Sequence, residues 1–309
     1  MKALVTGGAG FIGSAVCRLL LHEGWDVRVA DNFLSGFPEN VAPDVELREG
    51  DVRDERFMNA ACDGIDVVFH QAAIRSVPKS VEAPMAANDV NVSGTLSVLL
   101  AAEAAGVRRV VYASSSSVYG DNEAPKQSED LPPNPISPYA VSKLAGELYS
   151  RVWTRIKGLS TVSLRYFNVY GPGQHPESKY AAVFPAFIAA VRANVPPVVH
   201  WDGGQERDFT YVQDVARANL LAAAAGSEVD GEVFNIGGGS TKTVLEVLET
   251  VQEVLGTQLE PAFEEKRKGD VRRTAADIRK AALLLGWQPE AAWQDSVRAT
   301  VEWFADTGR

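Results

Sequence analysis

A tyrosine and a lysine stand four positions apart, at Tyr139 and Lys143, in a stretch with a helical pattern from about residue 139 to 156. Positions i and i+4 share one face of a helix, so the ammonium can lie near the phenol. A nearby cation stabilises the phenolate and lowers the pKa of a tyrosine from about 10 towards neutrality. Such a tyrosine can act as a general base or acid at physiological pH. An ordinary surface helix can carry the same pair, so the spacing alone does not indicate a catalytic site.

Four consecutive serines, Ser114 to Ser117, follow the apolar run at residues 110–113. In open α/β sheets, ligands bind at the carboxyl ends of the strands. A hydroxyl at such a strand end can hydrogen-bond a substrate oxygen and share its proton with the tyrosine. A serine-rich turn that caps a helix would have the same sequence, and the run is consistent with both interpretations.

The glycine-rich stretch at residues 6–13 (TGGAGFIG) is the strongest local signal. Gly8, Gly10 and Gly13 satisfy G-x-G-x-x-G, and Gly7, Gly10 and Gly13 satisfy the related G-x-x-G-x-x-G. A strand pattern precedes these glycines and an amphipathic helix pattern follows them. Glycine lets the backbone approach a pyrophosphate, whose charge is favoured by the amides and dipole of the helix start. This context indicates a dinucleotide site rather than a merely structural turn.

An acidic residue, Asp31, stands at the end of the second strand pattern, 18 residues after Gly13. A carboxylate at this place accepts hydrogen bonds from the ribose hydroxyls of adenosine and repels a 2′-phosphate. The sequence therefore favours NAD over NADP.

The scaffold that must position these residues is read from short apolar runs that alternate with helical patterns. The runs predicted as strands are residues 3–6, 27–30, 45–47, 67–70, 110–113 and 161–164. They are apolar on both sides of the pleat, as expected for parallel strands covered by helices on both faces. The alternation predicts an α/β fold with a Rossmann-like, doubly wound parallel sheet.

A second, smaller α/β unit is expected from the length of 309 residues and from the less regular pattern of the second half. A strand pattern covers residues 232–236, and helical patterns cover 243–255, 277–285 and 291–304. We expect an NAD-binding domain at residues 1–167 plus about 211–236. A substrate-binding domain is expected at residues 168–210 and 237–309.

The formal charge of 30 − 40 = −10 disfavours binding to nucleic acid or to an anionic membrane. An anionic ligand would need a local basic pocket.

The content of 46% hydrophobic and 23% charged residues is that of a globular protein. The two cysteines and four scattered histidines predict neither a disulfide framework nor a metal site. No run of 18 apolar residues and no signal-peptide core is found, so a cytoplasmic location is expected.

In this order, the motifs resemble those of the extended short-chain dehydrogenase/reductases, and among them the NAD-dependent nucleotide-sugar epimerase/dehydratase group. The resemblance covers nearly the whole chain. Further matching segments are GDV at 50–52, HQAA at 70–73, NVSGT at 91–95, LRYFN at 164–168, RDF at 207–209 and GDVR at 269–272.

The resemblance implies that NAD is the cofactor, that Tyr139 is the catalytic base and that Ser115 is the catalytic Ser/Thr. Lys143 is then also expected to hold the nicotinamide ribose, while Asp51 and Val52 flank the adenine. The cofactor-binding residues implied are Gly7, Gly10, Phe11, Ile12, Gly13, Asp31, Asn32, Asp51, Val52, Ala72, Ala73, Asn91, Ser114, Tyr139, Lys143 and Tyr166.

The same resemblance implies a UDP-sugar as substrate. Ala182 and Val183 would meet the uracil, and Asn168 a phosphate. Arg207 and Arg267 would contact the diphosphate, since an acidic protein needs concentrated cationic donors for it; the basic run around Arg267 can also be merely solvated. The substrate-binding residues implied are Ser76, Ser115, Ser116, Asn168, Ala182, Val183, Arg207, Arg267, Asp270 and Thr274.

The residues after Ser115 bear on the reaction. Dehydratases of the group carry Asp-Glu after the catalytic Thr, and decarboxylases carry a Glu two positions after it, whereas this chain has Ser116 and Ser117. A serine hydroxyl is a poor proton acceptor, so elimination at C5 loses its acid/base pair. The pattern is similar to that of a UDP-hexose 4-epimerase, which acts through a transient 4-keto sugar.

Thr274 is small at a position where a tyrosine restricts related epimerases to glucose and galactose. We therefore expect UDP-GlcNAc/UDP-GalNAc to be accepted beside UDP-glucose/UDP-galactose.

The alternative functions are a UDP-glucuronate 4-epimerase, another nucleotide-sugar oxidoreductase and, from a different class, a non-catalytic NAD-binding regulator. Relatives are usually homodimers joined through two long helices, expected here at about 88–105 and 139–156, so a homodimer is expected by analogy.

Overall fold

Seven parallel strands form the central sheet of the protein, whose structure, a computed structural model, describes residues 1–122, 124–174, 183–266 and 270–307. The strands are β1 (Lys2–Thr6), β2 (Asp26–Asp31), β3 (Glu46–Glu49), β4 (Val67–His70), β5 (Arg109–Ser115), β6 (Ser160–Tyr166) and β11 (Glu232–Ile236). They lie in the order β3, β2, β1, β4, β5, β6 and β11. The strand order reverses between β1 and β4, which is where open α/β sheets bind ligands.

Helices cover both faces of this sheet, which confirms the predicted fold class. The helices of the first part of the chain are α1 (Phe11–His22), α2 (Glu55–Cys62), α3 (Val77–Glu82), α4 (Pro84–Asn88), α5 (Gly94–Ala104) and α6 (Pro138–Lys157). Those of the second part are α7 (Val183–Arg192), α8 (Val212–Ala224), α9 (Val244–Leu255), α10 (Arg279–Leu285) and α11 (Trp293–Asp306). No helix in the described part of the chain is both long and apolar enough to cross a bilayer.

Alternate residues of one strand pack into two separate apolar clusters. Ala3 and Val5 of β1 lie in the cluster that includes residues of α1 and α8. Leu4, between them, lies in the cluster that includes residues of α2 and α5. Burying both faces of a strand requires apolar residues at every position, which explains the continuous apolar runs in the sequence.

The structure departs from two predicted elements. The predicted strand at 45–47 is β3, an edge strand over Glu46–Glu49, and its Leu47 is 42% exposed. The predicted helix from residue 88 is interrupted by a π-helical turn, Asp89–Ser93, before α5 begins. Turns of this kind occur mostly at functional sites, and this one contains the buried Asn91. Periodicity alone does not reveal a single widened turn inside a helical pattern.

Three small sheets lie outside the central sheet. They pair β7 (Val169–Tyr170) with β10 (Thr210–Tyr211), β8 (Val198–His200) with β13 (Ala262–Glu264), and β12 (Thr241–Thr243) with β9 (Glu206–Asp208) and β14 (Arg273–Thr274). A separate apolar cluster joins α7, α9 and α11 around the stacked rings of Tyr170 and Phe184, whose centroids are 4.4 Å apart. These elements bring Asn168, Arg207 and Thr274 close together.

Candidate active site

A cavity of about 890 Å³ lies along the carboxyl ends of the central strands. This volume is within the range of small-molecule sites. Its lining crosses the sheet from the end of β2 to the end of β6. The predicted residues that line it are Gly7, Gly10, Phe11, Ile12, Gly13, Asp31, Asn32, Val52, Ala72, Ala73, Ser76, Ser114, Tyr139, Lys143 and Tyr166.

Gly7 and Gly13, in the glycine-rich stretch that joins β1 to α1, have no room for a side chain. Gly7 has a φ of +71°, and a Cβ there would lie 2.7 Å from the amide nitrogen of Ala72. A Cβ at Gly13 would lie 2.1 Å from the carbonyl oxygen of Gly7. Gly10 precedes α1 and has no side chain to cap it, so the first amides of the helix can bind an anion. This cradle fits the pyrophosphate of a dinucleotide.

The buried Asp31 carboxylate holds the glycine loop from the neighbouring strand. Its Oδ2 accepts a hydrogen bond from the Ala9 amide at 2.9 Å, and its Oδ1 accepts one from the Phe33 amide at 2.8 Å. Each carboxylate oxygen has a second lone pair, which can accept a ribose hydroxyl. Asp31 therefore has a structural function in addition to the one predicted from its position.

Two residues predicted to bind the cofactor, Asp51 and Asn91, are not among the described residues that line the cavity. Asp51 accepts a hydrogen bond from Asn32 at 2.9 Å and pairs with Arg53, which lowers the pKa of its carboxyl to about 2. Asn91 exchanges two hydrogen bonds with the backbone of Ile74, at 2.8 and 3.0 Å. In this structure both residues position the cavity wall.

The catalytic residues predicted from the sequence come together where β5 ends against α6. The Tyr139 side chain interacts with that of Ser115. The Lys143 ammonium donates to the carbonyl oxygen of Ala113 at 2.7 Å. The helix starts at this place because Ser137 caps it, accepting a hydrogen bond from the Ala140 amide at 3.2 Å, and Pro138 occupies its first position.

The expectation that the pKa of Tyr139 is lowered by Lys143 is wrong for this structure. Burial raises the pKa of Tyr139 above its ordinary value of about 10, and the hydrogen bond to Ser115 and the charge of Arg75 only partly oppose this. Burial also lowers the pKa of Lys143 to about 7, against the opposing charge of Glu147. Spacing along a helix predicted proximity correctly, but it carries no information on desolvation.

Arg75 is a functional candidate that the sequence reading missed. It lines the cavity together with Tyr139, and its charge favours the tyrosinate. No hydrogen bond or ion pair joins its guanidinium to another side chain among the residues described. A cation without a partner in a ligand cavity can bind an anionic group. The sequence signal was a lone arginine two residues after the HQAA segment, at a position that no motif marked.

Four of the predicted substrate residues form a cluster separate from the described residues that line the cavity. Asn168, at a φ of +30°, donates to the Asp208 carbonyl at 2.8 Å and to the Thr274 hydroxyl at 3.2 Å. Arg207 forms an ion pair with Asp270. Four residues far apart in the chain, Asn168, Arg207, Asp270 and Thr274, are thus brought together by the small sheet of β9 and β14.

The remaining predicted substrate residues are placed as follows. Val183 is the first residue of α7, and Ser116 begins the 3₁₀ turn Ser116–Tyr119 that follows β5. Ala182 and Arg267 lie outside the described residues, so their predicted contacts stay predictions.

Trp201 is a second candidate that the sequence reading missed. Its φ of +62° is unusual for a residue with a side chain. The Lys266 ammonium lies 4.1 Å and the Arg272 guanidinium carbon 4.9 Å from the centroid of its ring. Arg272 also pairs with Asp202 at 2.8 Å. A ring flanked by cations beside the Arg207 cluster is suited to a planar, anionic ligand.

The described residues contain no group of three or more His, Cys, Asp or Glu side chains arranged to hold a metal ion. What they do contain is a glycine cradle, a carboxylate at the second strand, and a tyrosine with serine and lysine neighbours, all at one sheet edge. This combination is typical of enzymes that use a nicotinamide dinucleotide.

Comparison with known proteins agrees with this class. Residues 3–237 match the model of the NAD dependent epimerase/dehydratase family. The chain therefore belongs to this family. The predictions of the family, of the fold and of NAD as the cofactor are confirmed.

Individual relatives match over the full length. The chain is 38% identical over 308 residues to a putative UDP-glucose 4-epimerase of Methanocaldococcus jannaschii, covering 99% of both chains. A crystal structure of UDP-glucose 4-epimerase from Thermotoga maritima with UDP-glucose has a TM-score of 0.95 at 38% identity and 100% coverage of both chains. The UDP-N-acetylglucosamine 4-epimerase of Methanobrevibacter ruminantium, in complex with UDP-N-acetylmuramic acid, has a TM-score of 0.95 at 35% identity, covering 99% of this chain and 98% of that one.

Proposed function

We propose that the protein is a UDP-hexose 4-epimerase that interconverts UDP-glucose and UDP-galactose, and also UDP-GlcNAc and UDP-GalNAc. The observation that carries the proposal is the position of Tyr139 and Lys143 on the wall of the cavity that contains the glycine cradle, with the Ser115 side chain next to the tyrosine. The full-length relatives support the same activity. The enzyme is an isomerase.

In the proposed mechanism, the Tyr139 phenolate takes the proton of the sugar 4-hydroxyl. NAD held by the glycine loop and Asp31 would supply a reversible hydride acceptor for C4, with no net change in its redox state over a turnover. Ser115 holds the reacting oxygen through its hydroxyl, the charge of Arg75 favours the phenolate, and the Lys143 ammonium on the next turn of α6 holds the nicotinamide ribose. Tyr139 then returns the proton to the oxygen. Ser116 offers no acid or base for elimination at C5, which excludes dehydration as the main reaction.

We also propose the roles of the surrounding residues. The residues for the cofactor are those of the glycine loop, Asp31, Asn32 and the cavity wall, with Asp51 and Asn91 acting through their hydrogen bonds. Asn168, Val183, Arg207, Asp270 and Thr274 hold the nucleoside diphosphate and the sugar. With these roles, the proposed substrate-binding domain comprises residues 168–210 and 237–309.

The test is incubation of the purified protein with UDP-galactose, UDP-GalNAc and UDP-glucuronate separately, without added NAD, followed by analysis of the epimers. Inversion at C4 of the first two substrates supports the proposal. Stoichiometric consumption of nicotinamide cofactor would instead indicate an oxidoreductase. No inversion of any nucleotide sugar in the presence of saturating NAD would leave the non-catalytic regulator as the better explanation.

A second candidate, a UDP-glucuronate 4-epimerase, is favoured by one observation. Arg75 places a guanidinium in the cavity with Tyr139, and within the described part of the chain it has no ion pair. A C6 carboxylate on the sugar could supply one. In the three-substrate assay, this candidate predicts that UDP-glucuronate is inverted fastest.

Thr274→Tyr should lower turnover of UDP-GalNAc at least ~10-fold more than turnover of UDP-galactose. The half-buried Thr274 lies beside Asn168, and a phenol ring there would occupy the space proposed for the acetamido group. The measurement is kcat/KM on both sugars. Thr274→Ser keeps the hydroxyl that Asn168 contacts and serves as the control. Equal losses on both sugars would contradict the assignment.

We further propose a homodimer that forms through α5 and α6. Val141, Leu148, Val152 and Ile156 of α6 are 42 to 64% exposed, and their spacing of seven and four residues places them on one face. Val152→Asp should shift the protein from dimer to monomer in light scattering, whereas Leu283→Asp, on exposed α10, should not. A monomeric native protein would contradict this proposal.

The cytoplasmic location stays a prediction.

A further inference from the structure

The catalytic face of α6 extends one turn beyond the tyrosine and the lysine. Three consecutive residues at the end of β5 contact three residues spaced four apart on this helix. The contacts are Ser115 with Tyr139, the Ala113 carbonyl with Lys143 at 2.7 Å, and Ser114 with Glu147. Because the residues share one helix face, the position of each depends on the other two.

Glu147 is the third of these helix residues and lies buried below the cavity. Its carboxylate accepts two hydrogen bonds from the Arg165 guanidinium, at 2.8 and 2.7 Å. The two side chains are 5% and 4% exposed. A bidentate pair between two desolvated side chains fixes the position of the carboxylate. Arg165 is itself held against the ring of Tyr119, with its guanidinium carbon 4.7 Å from the ring centroid.

Among the described carboxylates, Glu147 is the one whose negative charge favours the charged form of Lys143. The other groups that face Lys143 carry no negative charge that could do so. His70 of β4 is buried, with its pKa lowered to about 3, and is therefore neutral. Tyr112 of β5, whose ring centroid is 5.2 Å from the ammonium, is held neutral because burial raises its pKa. Tyr139 is the general base itself.

We propose that Glu147 is a positioning residue of the reaction, which keeps the buried Lys143 ammonium charged and, through Ser114, holds the strand end that carries Ser115. The role rests on the proposed function, because it matters when Tyr139 acts as acid and base. Arg165 anchors the carboxylate, and neither residue is among the described residues that line the cavity.

The test is the pKa of Lys143 in Glu147→Gln, read from the NMR signal of its labelled side-chain nitrogen and assigned with Lys143→Met. Loss of the negative charge leaves burial unopposed, so the pKa should fall by about one from its value in the native protein. With the pKa starting at about 7, the alkaline limb of kcat/KM should move to lower pH by the same amount. At neutral pH the lysine would then be mostly uncharged.

Two further variants separate charge from structure. Glu147→Gln leaves Arg165 buried without its partner and can impair folding, so Glu147→Gln/Arg165→Gln removes both charges; the pKa of Lys143 should then lie between those of the native and the single variant. Ser114→Ala removes a hydrogen bond but no charge, and the pKa should stay at its native value. An unchanged pKa of Lys143 in both glutamine variants would overturn the proposal. Because the NMR titration needs no substrate, a shifted pKa in a protein without epimerase activity would refute the proposed reaction and leave the Glu147–Lys143 coupling established.

Discussion

Tyr139→Phe should lower kcat for C4 inversion by ~10³-fold while leaving NAD binding intact. The substitution removes a single oxygen, the one that exchanges the proton with the sugar hydroxyl, and general acid/base groups contribute of this order. The half-buried side chain lines the cavity next to Ser115, and the smaller phenyl ring fits the same space, so the fold should tolerate the substitution. The measurement is steady-state turnover together with NAD titration.

Tyr149→Phe is the matched control for this prediction. It lies on the same helix, and its ring packs against Trp153 with centroids 6.2 Å apart. Removing that oxygen should leave turnover within about twofold of the native value. If Tyr139→Phe retained more than about a tenth of native turnover, another group would have to transfer the proton, and the assignment of Tyr139 would be wrong.

Gly13→Ala should abolish high-affinity NAD binding and destabilise the protein. Alanine is favoured over glycine within a helix by about 1 kcal/mol, so propensity alone predicts a gain. The added Cβ, however, would lie 2.1 Å from the carbonyl oxygen of Gly7. Because that atom belongs to the backbone of the loop, the loop must move, at a cost of about 3 kcal/mol, and we expect the Kd for NAD to rise at least ~100-fold.

Gly10→Ala separates the effect of an added methyl group on stability from its effect on NAD binding. Its φ of −79° suits any residue, and an added Cβ would lie 3.1 Å from the same Gly7 oxygen. Stability should therefore stay near native, and a loss of NAD affinity would report on the close approach of the dinucleotide to the loop. The measurements are thermal unfolding without cofactor and calorimetric NAD titration. A native-like Gly13→Ala protein would show that the loop relaxes freely.

Much of the site followed from the sequence because each signal is local. A glycine required by a tight turn, an acid at a strand end and a Tyr–Lys pair on one helix face are all fixed by backbone geometry within a few residues. The doubly wound sheet followed in the same way, from runs such as residues 67–69, which are apolar at each position.

Only the tertiary structure decided the electrostatics of the site. It placed Arg75, from the loop after β4, beside Tyr139 of α6, and it placed Arg165 of β6 on Glu147. It also showed that Asn91 supports the cavity wall instead of lining it. The physical reason is that a pKa depends on desolvation and on charges from every neighbouring element, and these are set by long-range packing. Spacing along a chain determines which groups can meet, and burial determines what their charges are when they do.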